Sequence, residues 1–197
     1  MTVYAVYRMA KGTFKLTWKT LSMMLIAMIF IGKFTWKYSY KFGNWLYYKS
    51  KYKDAYYSKE RLWTLIRSVS PRQFEVFCYE LYKALGYKAK ITQEMHDGGV
   101  DIILKKGKET IYVECKHYAK NNYIGREICQ KLLGSCIMNK ADKAIVFTTG
   151  GIHNNAKECE AMVDHLEIVG YDKMYDLFNK LDKDTRNKVL ANTMSYV

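Results

Sequence analysis

The stretch from Val100 to Lys116 constrains the fold more tightly than any other, because it reads as one hairpin with a fixed register. Two runs of alternating hydrophobicity, Val100–Leu104 and Ile111–Lys116, flank Lys105–Thr110, where Gly107-Lys108 suits a two-residue type II′ turn. Centring the hairpin on those two residues sets Leu104 against Ile111, Ile102 against Val113 and Val100 against Cys115, all on one apolar face. The other face then carries Asp101 across from Glu114 and Gly99 across from Lys116. Directly opposed residues have Cβ atoms about 4.5–5.5 Å apart, and like charges there repel. A divalent metal is the natural candidate for the positive charge that relieves this repulsion, with Lys116 placed beside it. The plainer reading is a solvated outer face with an ordinary Glu114–Lys116 ion pair. Two details favour a site. The run Asp97-Gly98-Gly99-Val100-Asp101 puts small residues where a backbone turns or approaches something closely. Glu114-Cys115-Lys116 also ends its strand beside His117, Lys120, Asn121 and Asn122, and sites are usually built at such strand ends.

The surrounding pattern is helix and strand in alternation. Ser70-Pro71 is a helix start, with Ser at the cap and Pro in the first turn. Phe74, Phe77, Cys78, Leu81 and Leu85 follow at helical spacing, and Gly86 ends the run. Tyr87–Thr92 reads as a strand ahead of the hairpin. Ile124–Met138 reads as a helix with Ile124, Ile128, Leu132 and Cys136 inward, then Lys143–Thr149 as a strand and Ile152–Val163 as a helix. Leu166–Val169 and Tyr171–Leu181 supply a last strand and a last helix. This order predicts an α/β fold, a mixed sheet flanked by helices. From Asp182 onward the chain is charged and polar, and residues 182–197 are expected as a tail without assigned role.

Charge divides the chain unevenly. Residues 1–61 hold twelve Lys and Arg against two Asp and Glu, whereas residues 62–197 hold twenty against seventeen. Most of the net +13 therefore lies outside the alternating region, and global charge is a weak argument for nucleic-acid binding there. The basic part surrounds an apolar core, Leu21–Ile31. Extended to Leu16–Trp36, this segment has about the 20 residues a spanning helix needs, with Lys19 and Lys33 near its ends to snorkel. Trp18, Trp36, Tyr38 and Tyr40 supply interfacial aromatics. A signal peptide has a similar layout, but Gly-Lys-Phe-Thr-Trp-Lys after Ile31 offers no small-residue cleavage site. A buried soluble helix would leave both lysines awkwardly placed. An N-terminal transmembrane helix is the expectation. Arg8, Lys11, Lys15 and Lys19 precede it and Lys33, Lys37, Lys41, Lys49, Lys51 and Lys53 follow, which favours a cytoplasmic C-terminal side. The Lys- and Tyr-rich stretch 37–57 suits anionic membrane lipid, ahead of the alternative of a basic-aromatic nucleic-acid contact surface, because it adjoins the apolar segment. Expected boundaries are 1–57 for anchor and juxtamembrane stretch and 58–181 for the folded domain. The five cysteines have no zinc-type spacing and fit burial in a reducing compartment.

Five blocks together carry a resemblance: Phe74-Glu75, Leu85-Gly86-Tyr87, Asp97-Gly98-Gly99-Val100-Asp101, Val113-Glu114-Cys115-Lys116 and Phe147-Thr148-Thr149-Gly150-Gly151. In order and spacing they resemble the Mrr-type restriction endonuclease domain of the PD-(D/E)xK nuclease superfamily, over roughly Ser70 to Asn179. Val100 stands where the superfamily's name has Pro, as is usual in the Mrr branch. Glu114 stands where many Mrr relatives carry Gln, which keeps the more metal-competent form.

The resemblance implies a restriction-endonuclease-like fold and a metal-dependent DNA endonuclease. Asp101 and Glu114 would hold Mg²⁺, or Mn²⁺, with the Cys115 backbone carbonyl as a further ligand and its thiol in the core. Lys116 would orient the attacking water or stabilise developing charge. Glu75 matches the family's helical glutamate, which acts near the metal, and equally fits a solvated helix position. Gln130 could contact DNA or the lysine, or be a surface amide. Backbone N–H groups of Thr149 and Gly150 could meet a phosphate, though strand-to-helix turn chemistry explains them as well. His96, His117, His153 and His165 are isolated and expected to bind no metal. The partners implied are DNA, anionic lipid and, for a paired double-strand cut, a second copy forming a homodimer. Two alternatives share the fold: a catalytically idle DNA-binding or membrane-scaffold module, and a junction-resolving or repair nuclease.

Overall fold

The computed structural model describes residues 3–52, 58–92, 99–119 and 121–196, with the side chains of 3–19, 49 and 52 outside the description. Two compact units divide it, Met1–Asn44 and Trp45–Val197. Asp97, Gly98, His96 and Lys120 lie outside the described residues.

Helix α1 runs unbroken over Val3–Tyr52. Within it, Thr20–Tyr48 is long and apolar enough to cross a membrane by length and composition. Its 29 residues correspond to about 43 Å of helix, more than a hydrocarbon core of about 30 Å requires. Leu25, Ile26, Phe30 and Ile31 are all exposed.

In the second unit, α2 (Lys59–Ser68) starts at Ser58, whose hydroxyl accepts from the Arg61 N–H, and buries Leu62 and Ile66. Helix α3 (Pro71–Ala84) starts as its sequence dictates. Ser70 and Gln73 form a reciprocal capping box at 3.2 and 3.0 Å, with Pro71 in the first turn. Strands β1 (Lys88–Ile91), β2 (Ile102–Lys106) and β3 (Glu109–Lys116) follow. After β4 (Tyr123–Ile124) come α4 (Arg126–Asn139), β5 (Lys143–Thr148), β6 (Gly151–Ile152), α5 (Asn154–Met162), β7 (Leu166–Val169), α6 (Tyr171–Asn179) and α7 (Lys183–Met194).

The main sheet has the order β1-β2-β3-β5-β7. Its first three strands are antiparallel and the last three parallel, so the sheet is mixed. The hairpin register is the expected one, with Ile102 on Val113, Leu104 on Ile111 and Lys106 on Glu109. Gly107 has φ +62, whereas Lys140 is the non-glycine residue with positive φ among those described. Positive φ at the first turn position alone is the type II′ signature.

Strand alternation sorts β3 between two layers. Ile111, Val113 and Cys115 face the core built on Phe74, Phe77, Cys78 and Leu81 of α3, with Phe178 of α6. Tyr112 faces the second core, in which Cys129, Leu132 and Cys136 of α4 meet Ala156 and Cys159 of α5. Residues 182–197, expected as a polar tail, contain α7, which is capped by Asp182 and buries Val189, Leu190 and Ala191. Its apolar positions are few but contiguous, so neither charge density nor helical periodicity announces them. Helices α4 and α5 begin later than expected. Tyr123–Ile124 first pairs with Gly151–Ile152 in a small parallel sheet, and Gly125 and His153 then cap the helices.

Candidate active site

The site lies where β3 passes the start of β2, on the α4 side of the sheet. Glu114 is 1 % exposed. Its Oε1 is 2.6 Å from the Lys116 ammonium, while its Oε2 is buried without a hydrogen-bond partner. Burial pushes the Glu114 carboxyl above its ordinary value, and the neighbouring Asp101 charge pushes the same way. Lys116, and to a lesser degree Lys131, pull it back. For Lys116 burial alone would lower the ammonium, yet the bond to Glu114 and the charges of Glu114 and Asp101 outweigh it and hold it above its ordinary value.

Asp101 sits just ahead of β2. Its N–H donates to the Val113 carbonyl (2.8 Å), the carbonyl of the residue that faces Ile102. Its own carbonyl accepts from the Thr92 N–H (2.9 Å). The carboxylate Oδ2 accepts from the Cys115 N–H at 2.6 Å. A side-chain oxygen thus takes the Cys115 donor, and the regular ladder ends at Ile102–Val113 in a bulge-like step. The expected pairs Asp101–Glu114, Val100–Cys115 and Gly99–Lys116 therefore do not extend the ladder. The electrostatic proximity of Asp101 to Glu114 and Lys116 is retained.

Gly99 has φ +86, a left-handed conformation that favours glycine. A Cβ there would lie 2.8 Å from the Lys131 Nζ, 2.9 Å from its Cε and 3.3 Å from Glu114 Oε1. Lys131 of α4 is the residue the sequence reading passed over in favour of its neighbour Gln130. Gln130 is exposed, and no contact of its side chain with the carboxylates is present among the described residues. Lys131 comes three residues after the inward-turned Ile128, and its long stem lets an ammonium at the rim of the apolar stripe reach inward.

The remaining expected residues divide. Glu75 of α3 is ion-paired to Arg72 at 2.5 Å and close enough to affect the Cys115 thiol. Burial pushes that thiol well up, with Cys78 beside it, so it sits on the α3 side of β3 while Glu114 and Lys116 serve the other side. The Thr149 and Gly150 N–H groups, expected to meet a phosphate, already donate to the Lys116 carbonyl (3.1 Å) and Thr148 Oγ1 (2.9 Å). Thr149 Oγ1 accepts from the Tyr118 N–H (2.8 Å) and donates to its carbonyl (3.0 Å). These residues fasten the segment after β3 to the end of β5 and leave no backbone donor for substrate at either position. His117 lies 3.0 Å from the Ile66 carbonyl through Nε2 and packs on Phe74, which anchors the chain just past Lys116.

Among the described residues no three His, Cys, Asp or Glu side chains gather as a metal cluster. A two-carboxylate site completed by backbone or water oxygens is nonetheless compatible with Mg²⁺, which takes few protein ligands. The unpartnered Glu114 Oε2 is the feature that fits a cation, since a buried anionic oxygen without a donor is costly.

Comparison with known proteins bears on the fold and the family. A solved modification-dependent DNA restriction endonuclease, AspBHI, superposes with a TM-score of 0.52 at 20 % identity, covering 72 % of this chain and 40 % of that one. The MspJI restriction endonuclease, solved with a 27-mer oligonucleotide, gives 0.47 at 15 % identity over 68 % of this chain and 31 % of that one. The uncharacterized protein y4cE of Sinorhizobium fredii (strain NBRC 101917 / NGR234) is 33 % identical over 91 residues. That match takes 44 % of this chain and 23 % of the relative, so the chain spans about a quarter of the protein it matches. The Mrr catalytic-domain family model, described as restriction endonuclease, matches residues 66–178, more than half of the chain and all of the sheet just described. On that match, the chain belongs to the Mrr-type restriction endonuclease family.

Proposed function

We propose that this chain is a membrane-anchored, metal-dependent endonuclease that hydrolyses DNA phosphodiester bonds. The observation that carries the reading is the buried Glu114, with one oxygen on Lys116 and the other without a partner, beside Asp101. Nothing in binding alone calls for two neighbouring carboxylates at the end of a buried strand. AspBHI, of like fold, is described as acting on modified DNA, and modified DNA is the substrate to test first.

Asp101 and Glu114 would hold the ion, with the carbonyl of Cys115, next in sequence to Glu114, as a further oxygen. When bound, Mg²⁺ or Mn²⁺ supplies Lewis acidity at the phosphate and lowers the pKa of a coordinated water. Lys116 carries a retained positive charge beside the carboxylates. It orients the attacking water or stabilises the charge that develops on the phosphate. The Asp101–Cys115 bond fixes one carboxylate to the strand bearing the other, so the pair is preorganised. Glu75 is a candidate for holding water near the ion, once released from Arg72. An α1 segment that spans the membrane would hold the nuclease beside it, on the cytoplasmic side by the excess of Lys after Leu21–Ile31, with its basic flank on anionic lipid. A homodimer would allow both DNA strands to be cut.

The test is cleavage of plain and modified DNA by the full chain in detergent with Mg²⁺. Asp101→Ala and Glu114→Ala are expected to abolish cleavage while circular dichroism stays unchanged. Metal-dependent cleavage persisting in both variants overturns the reading. Modified, plain linear and branched substrates separate a restriction enzyme from a junction-resolving or repair nuclease.

A further inference from the structure

The nuclease reading leaves the Lys131 ammonium without a task. Lys131 is exposed on α4, and an exposed lysine ordinarily keeps its charged end in water. Here the end of the side chain instead crosses over Gly99, with Nζ 2.8 Å and Cε 2.9 Å from where a Cβ would stand. Glu114 Oε1 lies 3.3 Å from the same point. The lysine end and the buried carboxylate thus border one gap, which stays open because residue 99 has no side chain. Lys116 differs, since its ammonium is already held at 2.6 Å by Glu114. Among the described residues, no hydrogen bond or ion pair engages the Lys131 ammonium.

Two carboxylates, one divalent ion and Lys116 balance the single negative charge of a bound phosphodiester, and leave uncompensated the further negative charge that builds on its oxygens as water attacks. An unengaged ammonium facing the same gap from a different element is suited to the remainder. We propose that Lys131 binds a non-bridging oxygen of the DNA phosphate at the reaction centre, from the helix side, while Lys116 acts from the strand side. This assignment rests on the nuclease reading for the identity of the phosphate. Gly99 is the residue that lets the ammonium through.

The experiment measures binding and cleavage separately. Binding of a fluorescein-labelled DNA duplex to the full chain in detergent is followed by anisotropy over a salt series with EDTA present, and cleavage with Mg²⁺ on unlabelled duplex. Lys131→Gln is expected to make the slope of log K against log[salt] shallower by about one. It should also lower kcat/KM by about a hundredfold. Lys131→Arg, which keeps the charge, should restore the slope, and Lys140→Gln at the exposed end of α4 should match the wild type in both assays. An unchanged slope in Lys131→Gln overturns the proposal, including the case where only its Tm moves, because a lysine that merely screens Glu114 alters stability and not phosphate contact. If the wild type binds DNA with the expected slope difference yet cleaves nothing, the nuclease reading falls and the phosphate contact stands. If the wild type binds no DNA at low salt, both fall.

Discussion

Gly99→Ala probes the backbone and the site with a single methyl group. At φ +86 an L-residue is strained by about 1–2 kcal/mol. The new Cβ would also meet Lys131 Nζ at 2.8 Å and Cε at 2.9 Å. Those atoms end a flexible side chain, so Lys131 swings away at a rotamer cost of about 0.5–1 kcal/mol. Glu114 Oε1, at 3.3 Å and fastened to Lys116, must shift by a few tenths of an ångström. Reduced freedom of the unfolded chain returns about 0.4–1 kcal/mol. The balance is a destabilisation of about 1–2 kcal/mol, read from urea titration of the full chain in detergent by tryptophan fluorescence. Cleavage should fall by about the same factor as in Lys131→Gln, because the methyl group displaces the same ammonium. A Gly99→Ala protein within about 0.3 kcal/mol of the wild type and fully active would refute both the strain and the crossing of Lys131 over this residue.

Glu114→Gln keeps shape and removes charge. The wild type should gain about 2.7 kcal/mol at Mg²⁺ a hundredfold above its Kd, and the variant should gain none, as thermal unfolding with and without the ion will reveal. In the metal-free protein the Glu114 carboxyl should titrate above 4.5, since burial disfavours its charge. Its raised folded pKa contributes stability that is complete below the unfolded value and lost as pH rises through the folded one. A side-chain ¹³C titration with a midpoint at or below 4.5 would contradict this. Leu190→Ala should cost about 2–4 kcal/mol, because α7 is part of the core; a loss under 0.5 kcal/mol in denaturant would show that helix to be peripheral.

Much of this was legible in the residues. Hairpin register follows from alternation plus a turn that tolerates positive φ only at Gly107, and α3 follows from Ser70, Pro71 and Gln73. The register expectation brought Asp101 near Glu114, and the two do interact electrostatically, though not as a ladder pair. What the pattern could not supply was the step at Asp101, where a carboxylate replaces a backbone acceptor, because periodicity describes backbone pairing and not side chains that substitute for it. Gly99 was marked as a place of close approach, yet the group approaching is Lys131 from another element, and sequence spacing has no term for contacts between α4 and the head of β2. The N–H groups of Thr149 and Gly150 fitted an anion site in sequence, but the Lys116 carbonyl at the end of β3, distant in sequence, and the nearby Thr148 hydroxyl already engage them. Helix α7 escaped notice because its few apolar residues sit amid charge.

The two-residue connection at Gly107-Lys108 has a consequence for how this family's chains can diverge. Between it and the carboxylates the hairpin has a parity: even-numbered positions of β2 and odd-numbered positions of β3 look toward α3. A single residue added to the turn would reverse that parity along whichever strand absorbed it; absorbed in β3, it would turn Cys115 toward α4 and Glu114 toward Phe74 and Phe77. Loop growth at this tip is therefore compatible with catalytic chemistry only in steps that restore the original facing, and the tip, though far from any reacting atom, keeps count for the acids.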